Sequence, residues 1–123
     1  MDSVWMENLS LPRFEALRGN ADTDVLIIGG GITGLLCTWM LKQAGVDCAL
    51  VEAGRICGGT TGGTTGKITV QHGLFCRKLL KEFGPEAAAL YRQAQEAALE
   101  RYRALCQEID CDFEERDNFI YSS

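Results

Sequence analysis

Residues 24–34 read Asp24-Val25-Leu26-Ile27-Ile28-Gly29-Gly30-Gly31-Ile32-Thr33-Gly34, and Glu52 closes the next apolar run, Cys48 to Val51. The run Val25 to Ile28 is short, apolar and β-branched, as expected of a buried parallel strand. Gly29, Gly31 and Gly34 satisfy the spacing G-x-G-x-x-G, and a helical pattern begins at Ile32. In such a motif the first glycine permits a tight strand-to-helix turn, and the second lets a pyrophosphate approach bare backbone. The third allows close helix–strand packing. A phosphate held there meets free N–H groups and the positive end of the helix dipole. Glu52 stands at the spacing where a carboxylate accepts both hydroxyls of an adenosine ribose. A glycine pattern alone says little, but strand, glycines, helix, second strand and acid in register point to a dinucleotide.

Working outward, helix one is expected from about Ile32 to Ala44, with Gly45 ending it in a left-handed cap. Leu35, Leu36, Trp39 and Met40 leave it little polar face, so it should be buried against the sheet. Strand two is Cys48 to Val51, and the β-α-β unit needs a right-handed crossover. Upstream, residues 1–22 read as an irregular arm, broken by Pro12 and turning at Gly19-Asn20.

The segment 54–66, Gly-Arg-Ile-Cys-Gly-Gly-Thr-Thr-Gly-Gly-Thr-Thr-Gly, is made mostly of glycine and threonine. Low complexity alone suggests a flexible linker. Its position directly after Glu52, its hydroxyls and its bare amides instead suit backbone wrapped around phosphate and sugar. Lys67 to Val70 returns to a β-prone pattern. A short helix is expected from Leu74 to Phe83, stopped by Gly84-Pro85, and a long one from Pro85 to about Ile109. Ala87, Tyr91, Ala94, Ala98, Tyr102, Leu105 and Ile109 form its apolar stripe, which reads as core. Cys111 to Phe113 and Phe119 to Tyr121 look like strands joined through the charged turn Glu114 to Asn118.

The chain has 123 residues, 46% hydrophobic and 24% charged, which suits one modest domain of ordinary composition. A net charge of −5 argues against nucleic acid or an anionic membrane as partner, since both need a basic face. Met1 to Ser10 does not read as a leader, and Val25 to Leu41 is too short and glycine-broken to span a membrane. Cys37, Cys48, Cys57, Cys76, Cys106 and Cys111 form no C-x-x-C and no metal spacing. Reduced thiols used as small hydrophobes in a cytoplasmic protein are the favoured reading, and no metal site is expected.

Together the glycine motif, Val51-Glu52-Ala53 and the run from Gly58 to Lys67 resemble FAD-dependent oxidoreductases of the D-amino-acid oxidase and glycine oxidase superfamily. Ser3-Val4-Trp5 and Gly66-Lys67-Ile68-Thr69-Val70-Gln71-His72-Gly73-Leu74 are similar to a bacterial branch in which several members carry a C-terminal Rieske iron–sulfur domain. The resemblance implies that Gly29, Gly31, Ile32, Thr33 and Gly34 meet the pyrophosphate. Glu52 would hold the ribose, with Ala53 beside it and Arg55 near the adenine. Thr60 and Thr61 would lie by the phosphates and ribityl chain, while Thr65, Gly66 and Lys67 would approach the isoalloxazine ring.

The small-residue run after the acid favours FAD over NAD, because it can follow the second half of a long dinucleotide. Glu52 disfavours NADP, whose 2′-phosphate it would repel. In this superfamily the flavin accepts a hydride from a carbon bearing an amine. Lys67 is a catalytic candidate at the N1–C2=O edge or N5, with a solvent-facing ammonium as the alternative. His72, the sole histidine, is a second candidate, at the flavin face or on a substrate carboxylate. Its alternative role is an imidazole capping the helix before Leu74.

The expected fold class is α/β: a partial Rossmann-like β-α-β unit for FAD or NAD(P), followed by helices that begin a substrate domain. The expected divisions are an arm over 1–22, the dinucleotide unit over 23–72, and an incomplete substrate segment over 73–123. No Gly-Asp dipeptide of the kind that closes the family's cofactor site is present, so the chain reads as part of a longer enzyme, inactive alone. Its partners would be an amine or amino-acid substrate and the remainder of the enzyme chain. Two other readings stay open: a non-catalytic adenine-nucleotide-binding piece, and a structural remnant with exposed apolar faces.

Overall fold

The computed structural model describes residues 3, 6, 7 and 9–121, so Val4 and Trp5 of the opening tripeptide lie outside the described residues. The chain divides into two compact units, Met1–Thr65 and Gly66–Ser123.

The first unit is built on β1 (Val25–Ile28), α1 (Ile32–Gln43) and β2 (Cys48–Val51). The strands pair in parallel, with Val25 opposite Cys48 and Ile28 opposite Val51. Gly29 takes φ +107, a left-handed value that favours glycine, and turns the chain from strand to helix. α1 ends as its sequence requires: Gly45 has φ +74, and its N–H donates to Lys42 O at 3.0 Å. Cys48 is the buried apolar side chain of the unit, 6% exposed, and its thiol reaches Thr38 O at 3.8 Å.

Burial falls short of expectation in two places. Val25 and Ile27 are half-buried under α1, but Leu26 and Ile28 on the other face of β1 stay 54% and 81% exposed. Trp39 and Met40 of α1 are likewise exposed, and Leu35 and Leu36 only half-buried. The cause is geometric. One helix covers one face of a two-stranded sheet, and β1 and α1 each keep an exposed face.

The second unit is organised by α2 (Phe75–Glu108), which Gly84 divides with φ 85 and ψ 176 into arms 75–83 and 85–108. Pro85 begins the second arm, where its missing N–H costs no helical bond. The kink returns the second arm past the first, bringing Tyr91 edge-on to Phe75 with ring centroids 5.2 Å apart. Of the expected stripe, Ala87, Tyr91, Tyr102 and Leu105 are half-buried, whereas Ala94, Ala98 and Ile109 are exposed. Ala88, Gln95, Leu99 and Cys106 join the covered side, with Gln95 and Tyr91 facing His72 and Phe75.

No strand forms over Lys67–Val70, Cys111–Phe113 or Phe119–Tyr121. A strand needs a ladder partner, and here side chains take the polar groups instead. Thr69 Oγ1 accepts from the Gln71 N–H at 3.0 Å and from Asn118 Nδ2 at 2.9 Å, which turns the first segment and ties the last to it.

Candidate functional site

The glycine turn and the chain after β2 come together in the first unit. Gly34 packs where no side chain fits: a Cβ there would fall 2.0 Å from Gly29 O and 3.3 Å from Ile27 Cγ2. This is the close approach of helix to strand that the third motif glycine was expected to serve. The Gly29 N–H donates to Val51 O at 2.8 Å, so the turn begins while still laddered to β2.

Glu52 lies at the end of β2 with both carboxylate oxygens engaged. Gly30 N–H donates to Oε2 at 2.7 Å and Gly54 N–H to Oε1 at 2.8 Å. These amides, Gly30 first, hold the carboxyl below its ordinary value of 4.5, so Glu52 is ionised at neutral pH. Each oxygen keeps a further lone pair for a ligand hydroxyl. An exposed, ionised carboxylate with two open acceptor positions can accept from both hydroxyls of a diol.

At the start of α1 the Ile32 N–H donates to Thr61 Oγ1 at 2.9 Å. Thr61 belongs to a short 3-10 turn, Thr60–Gly63, and therefore caps the helix from the glycine–threonine segment. A Cβ on Gly31 would lie 3.2 Å from the same hydroxyl. Having accepted from Ile32, Thr61 still has its own proton to donate, beside a helix end whose first-turn amides lack intrahelical acceptors. The segment is no open linker. Cys57 N–H donates to Gly30 O at 2.9 Å, and Gly62 is buried where a Cβ would meet Cys57 O at 2.5 Å.

Gly30 and Gly54 were not among the residues anticipated as site residues. The signal for Gly30 was the triple glycine itself: the motif uses the outer two, and a Cβ on the middle one would lie 3.1 Å from Glu52 Cβ and 3.2 Å from Ile56 Cγ1. Ala53, Arg55 and Thr60 are exposed around this cluster, with Arg55 O accepting from Gly58 N–H at 2.9 Å. Thr65 is the last residue of the first unit and is exposed.

Gly66, Lys67 and His72 belong to the second unit. Lys67 is exposed and forms no ion pair with another described residue. His72 does not cap α2, whose N-cap residue Leu74 has no side-chain bond. Its ring lies 3.4 Å from Gln95 Oε1 through Nε2, with its centroid 6.4 Å from that of Tyr91. All six cysteines are free. Among the described residues no cluster of three His, Cys, Asp or Glu could hold a metal, and no helix is long and apolar enough to cross a membrane.

Residues 24–123 match the family model described as FAD dependent oxidoreductase. YhfW of Bacillus subtilis, named as a Rieske 2Fe-2S iron-sulfur protein, is 36% identical over 99% of this chain and 24% of its own length. Gamma-glutamylputrescine oxidoreductase of Escherichia coli is 28% identical over 87% of this chain and 26% of its own. Flavin-containing amine oxidase B of Cavia porcellus is 33% identical over 68% of this chain and 15% of its own. The chain thus spans about a quarter of the length of the first two relatives. No solved structure matches it. On the matched span and the glycine–glutamate geometry together, the chain belongs to the D-amino-acid-oxidase-like family of FAD-dependent oxidoreductases.

Proposed function

We propose that this chain is the N-terminal, FAD-binding portion of an oxidoreductase that oxidises an amine or amino acid. The observation that carries the reading is Glu52, ionised, exposed and aimed by the amides of Gly30 and Gly54. The names of two relatives, a gamma-glutamylputrescine oxidoreductase and a flavin-containing amine oxidase, support the substrate class.

In this reading the fold is the β-α-β beginning of a Rossmann-like domain. Glu52 holds the adenosine ribose with Ala53 beside it, and Arg55 lies by the adenine. The backbone of Gly29, Gly31, Ile32, Thr33 and Gly34 receives the pyrophosphate at the N-terminus of α1. Thr61, already fixed by Ile32, donates its hydroxyl proton to a phosphate or ribityl oxygen, with Thr60 next to it. Thr65, Gly66 and Lys67 serve the isoalloxazine end, where the Lys67 ammonium favours negative charge; His72 serves the substrate side. Residues 23–72 form the dinucleotide portion and 73–123 open the substrate domain. Bound FAD supplies a two-electron acceptor for the hydride leaving the amine-bearing carbon.

The test is the absorption of the purified chain in the flavin region, and the quenching of FAD fluorescence on titration. Flavin bands or saturable quenching support the reading. Binding of ADP with no preference for FAD would favour an adenine-nucleotide-binding role without catalysis, and binding of NAD instead would overturn the cofactor.

A further inference from the structure

The N-terminal arm, which the cofactor reading leaves without a role, is seated on the glycine–threonine segment at Met6. Residues 12–22 of the arm are exposed, whereas Met6 is half-buried. A turn shapes the chain there: the Met6 N–H donates to Ser3 O at 2.8 Å. The place a Cβ of Gly62 would take lies 3.3 Å from both Cγ and Sδ of Met6, and 2.5 Å from Cys57 O. The Met6 side chain thus rests on the backbone of Gly62, which is buried between the exposed stretches Gly58–Thr60 and Gly63–Thr65. The residue before it, Thr61, carries the hydroxyl that accepts from Ile32 N–H at 2.9 Å. Within the turn, Gly62 N–H donates to Gly59 O at 3.1 Å and Thr64 N–H to Thr61 O at 3.3 Å. Those bonds shape the turn without attaching it to α1. A turn this rich in glycine has wide backbone freedom, so what packs on Gly62 governs how firmly Thr61 is held.

We propose that Met6 is a positioning residue of the cofactor site: its thioether braces Gly62 and so keeps the Thr61 hydroxyl at the start of α1, on the phosphate side of the dinucleotide. The inference rests on the reading of Thr61 as a donor to a phosphate or ribityl oxygen. Methionine suits the task, because an unbranched, polarisable side chain follows the irregular surface of a glycine turn. Met6 itself touches no ligand. Its effect is preorganisation: a hydroxyl already held in place loses less freedom when a ligand arrives. The ribose half is independent of this brace, since Glu52 is aimed by the amides of Gly30 and Gly54.

The test compares the wild-type chain with Met6→Ala and Met6→Leu. Amide exchange followed by NMR reads the Ile32 N–H without ligand, with the Gly29 N–H, laddered to Val51 O, as internal reference. Met6→Ala should speed Ile32 exchange about fivefold relative to Gly29, the size of a lost helix cap. Met6→Leu, close in volume, should restore the wild-type rate. ADP should bind Met6→Ala about fivefold more weakly than wild type or Met6→Leu. Adenosine, which has the ribose and no phosphate, should bind all three alike. Unchanged Ile32 exchange or unchanged ADP affinity in Met6→Ala overturns the inference. So does a general loosening, in which Gly29 exchange and adenosine binding change as well, or a Met6→Leu that behaves as Met6→Ala. A wild type that binds neither ligand while the Ile32 response persists supports the brace and overturns the cofactor reading instead.

Discussion

Glu52 is exposed, yet its carboxylate is shaped by backbone: the Gly30 and Gly54 amides stabilise the charged form. A carboxyl whose folded value is depressed adds stability above its unfolded value, and that contribution is lost as pH falls through the folded one. The native chain should therefore lose stability below about pH 4.5 in part through this group. In Glu52→Gln that portion of the acid limb should be absent from thermal unfolding curves recorded as a function of pH. Gly34 is governed by space rather than charge. Gly34→Ala sets a Cβ 2.0 Å from Gly29 O, and should cost about 2–4 kcal/mol by chemical denaturation. Gly63→Ala, where a Cβ meets nothing within 4 Å, should change stability by no more than about 0.5 kcal/mol.

At the scale of elements, β1, α1 and β2 were legible because each announces itself locally: a β-branched run, a glycine turn, a helix with a glycine stop. The division of α2 was equally legible, since Gly84-Pro85 marks it in the sequence, and the structure places the break there with φ 85. Gly84→Ala should cost about 1–3 kcal/mol, because that backbone conformation is nearly exclusive to glycine; the measurement is the denaturation midpoint. The strands expected at 67–70, 111–113 and 119–121 fail because β-propensity has no effect without a neighbour to pair with. The role of Thr61 as a helix cap was hidden for another reason. It joins positions 29 residues apart, and a repetitive run of threonines does not reveal which hydroxyl reaches the helix. Thr61→Val keeps the shape and removes that acceptor. It should cost about 1 kcal/mol of stability and weaken FAD binding in a fluorescence titration.

On the scale of the molecule, the first unit gathers the glycine turn, Glu52 and the Thr60–Gly63 turn around one helix end, while Lys67 and His72 belong to the second unit. The exposed Leu26 and Ile28 on β1, and Trp39 and Met40 on α1, show how little apolar cover two strands and one helix provide. That pattern accords with a chain spanning about a quarter of its relatives' length. It also explains why core burial was overestimated from sequence: amphipathic patterns report which faces seek cover, and not whether cover is present. The proposed adenylate half of the site rests on contacts within residues 29–61, the span that the motif spacing points to. The surroundings of Lys67 and His72 depend on pairings, such as His72 with Gln95, that spacing does not encode.

The most direct test is calorimetric titration of the wild-type chain, Glu52→Ala and Lys67→Ala with ADP and with FAD. The adenylate assignment predicts that the wild type binds both ligands and that Glu52→Ala weakens both by about tenfold or more. It predicts that Lys67→Ala leaves ADP binding unchanged. Equal affinity of Glu52→Ala and wild type for ADP, or no binding of either ligand by the wild type, would contradict it.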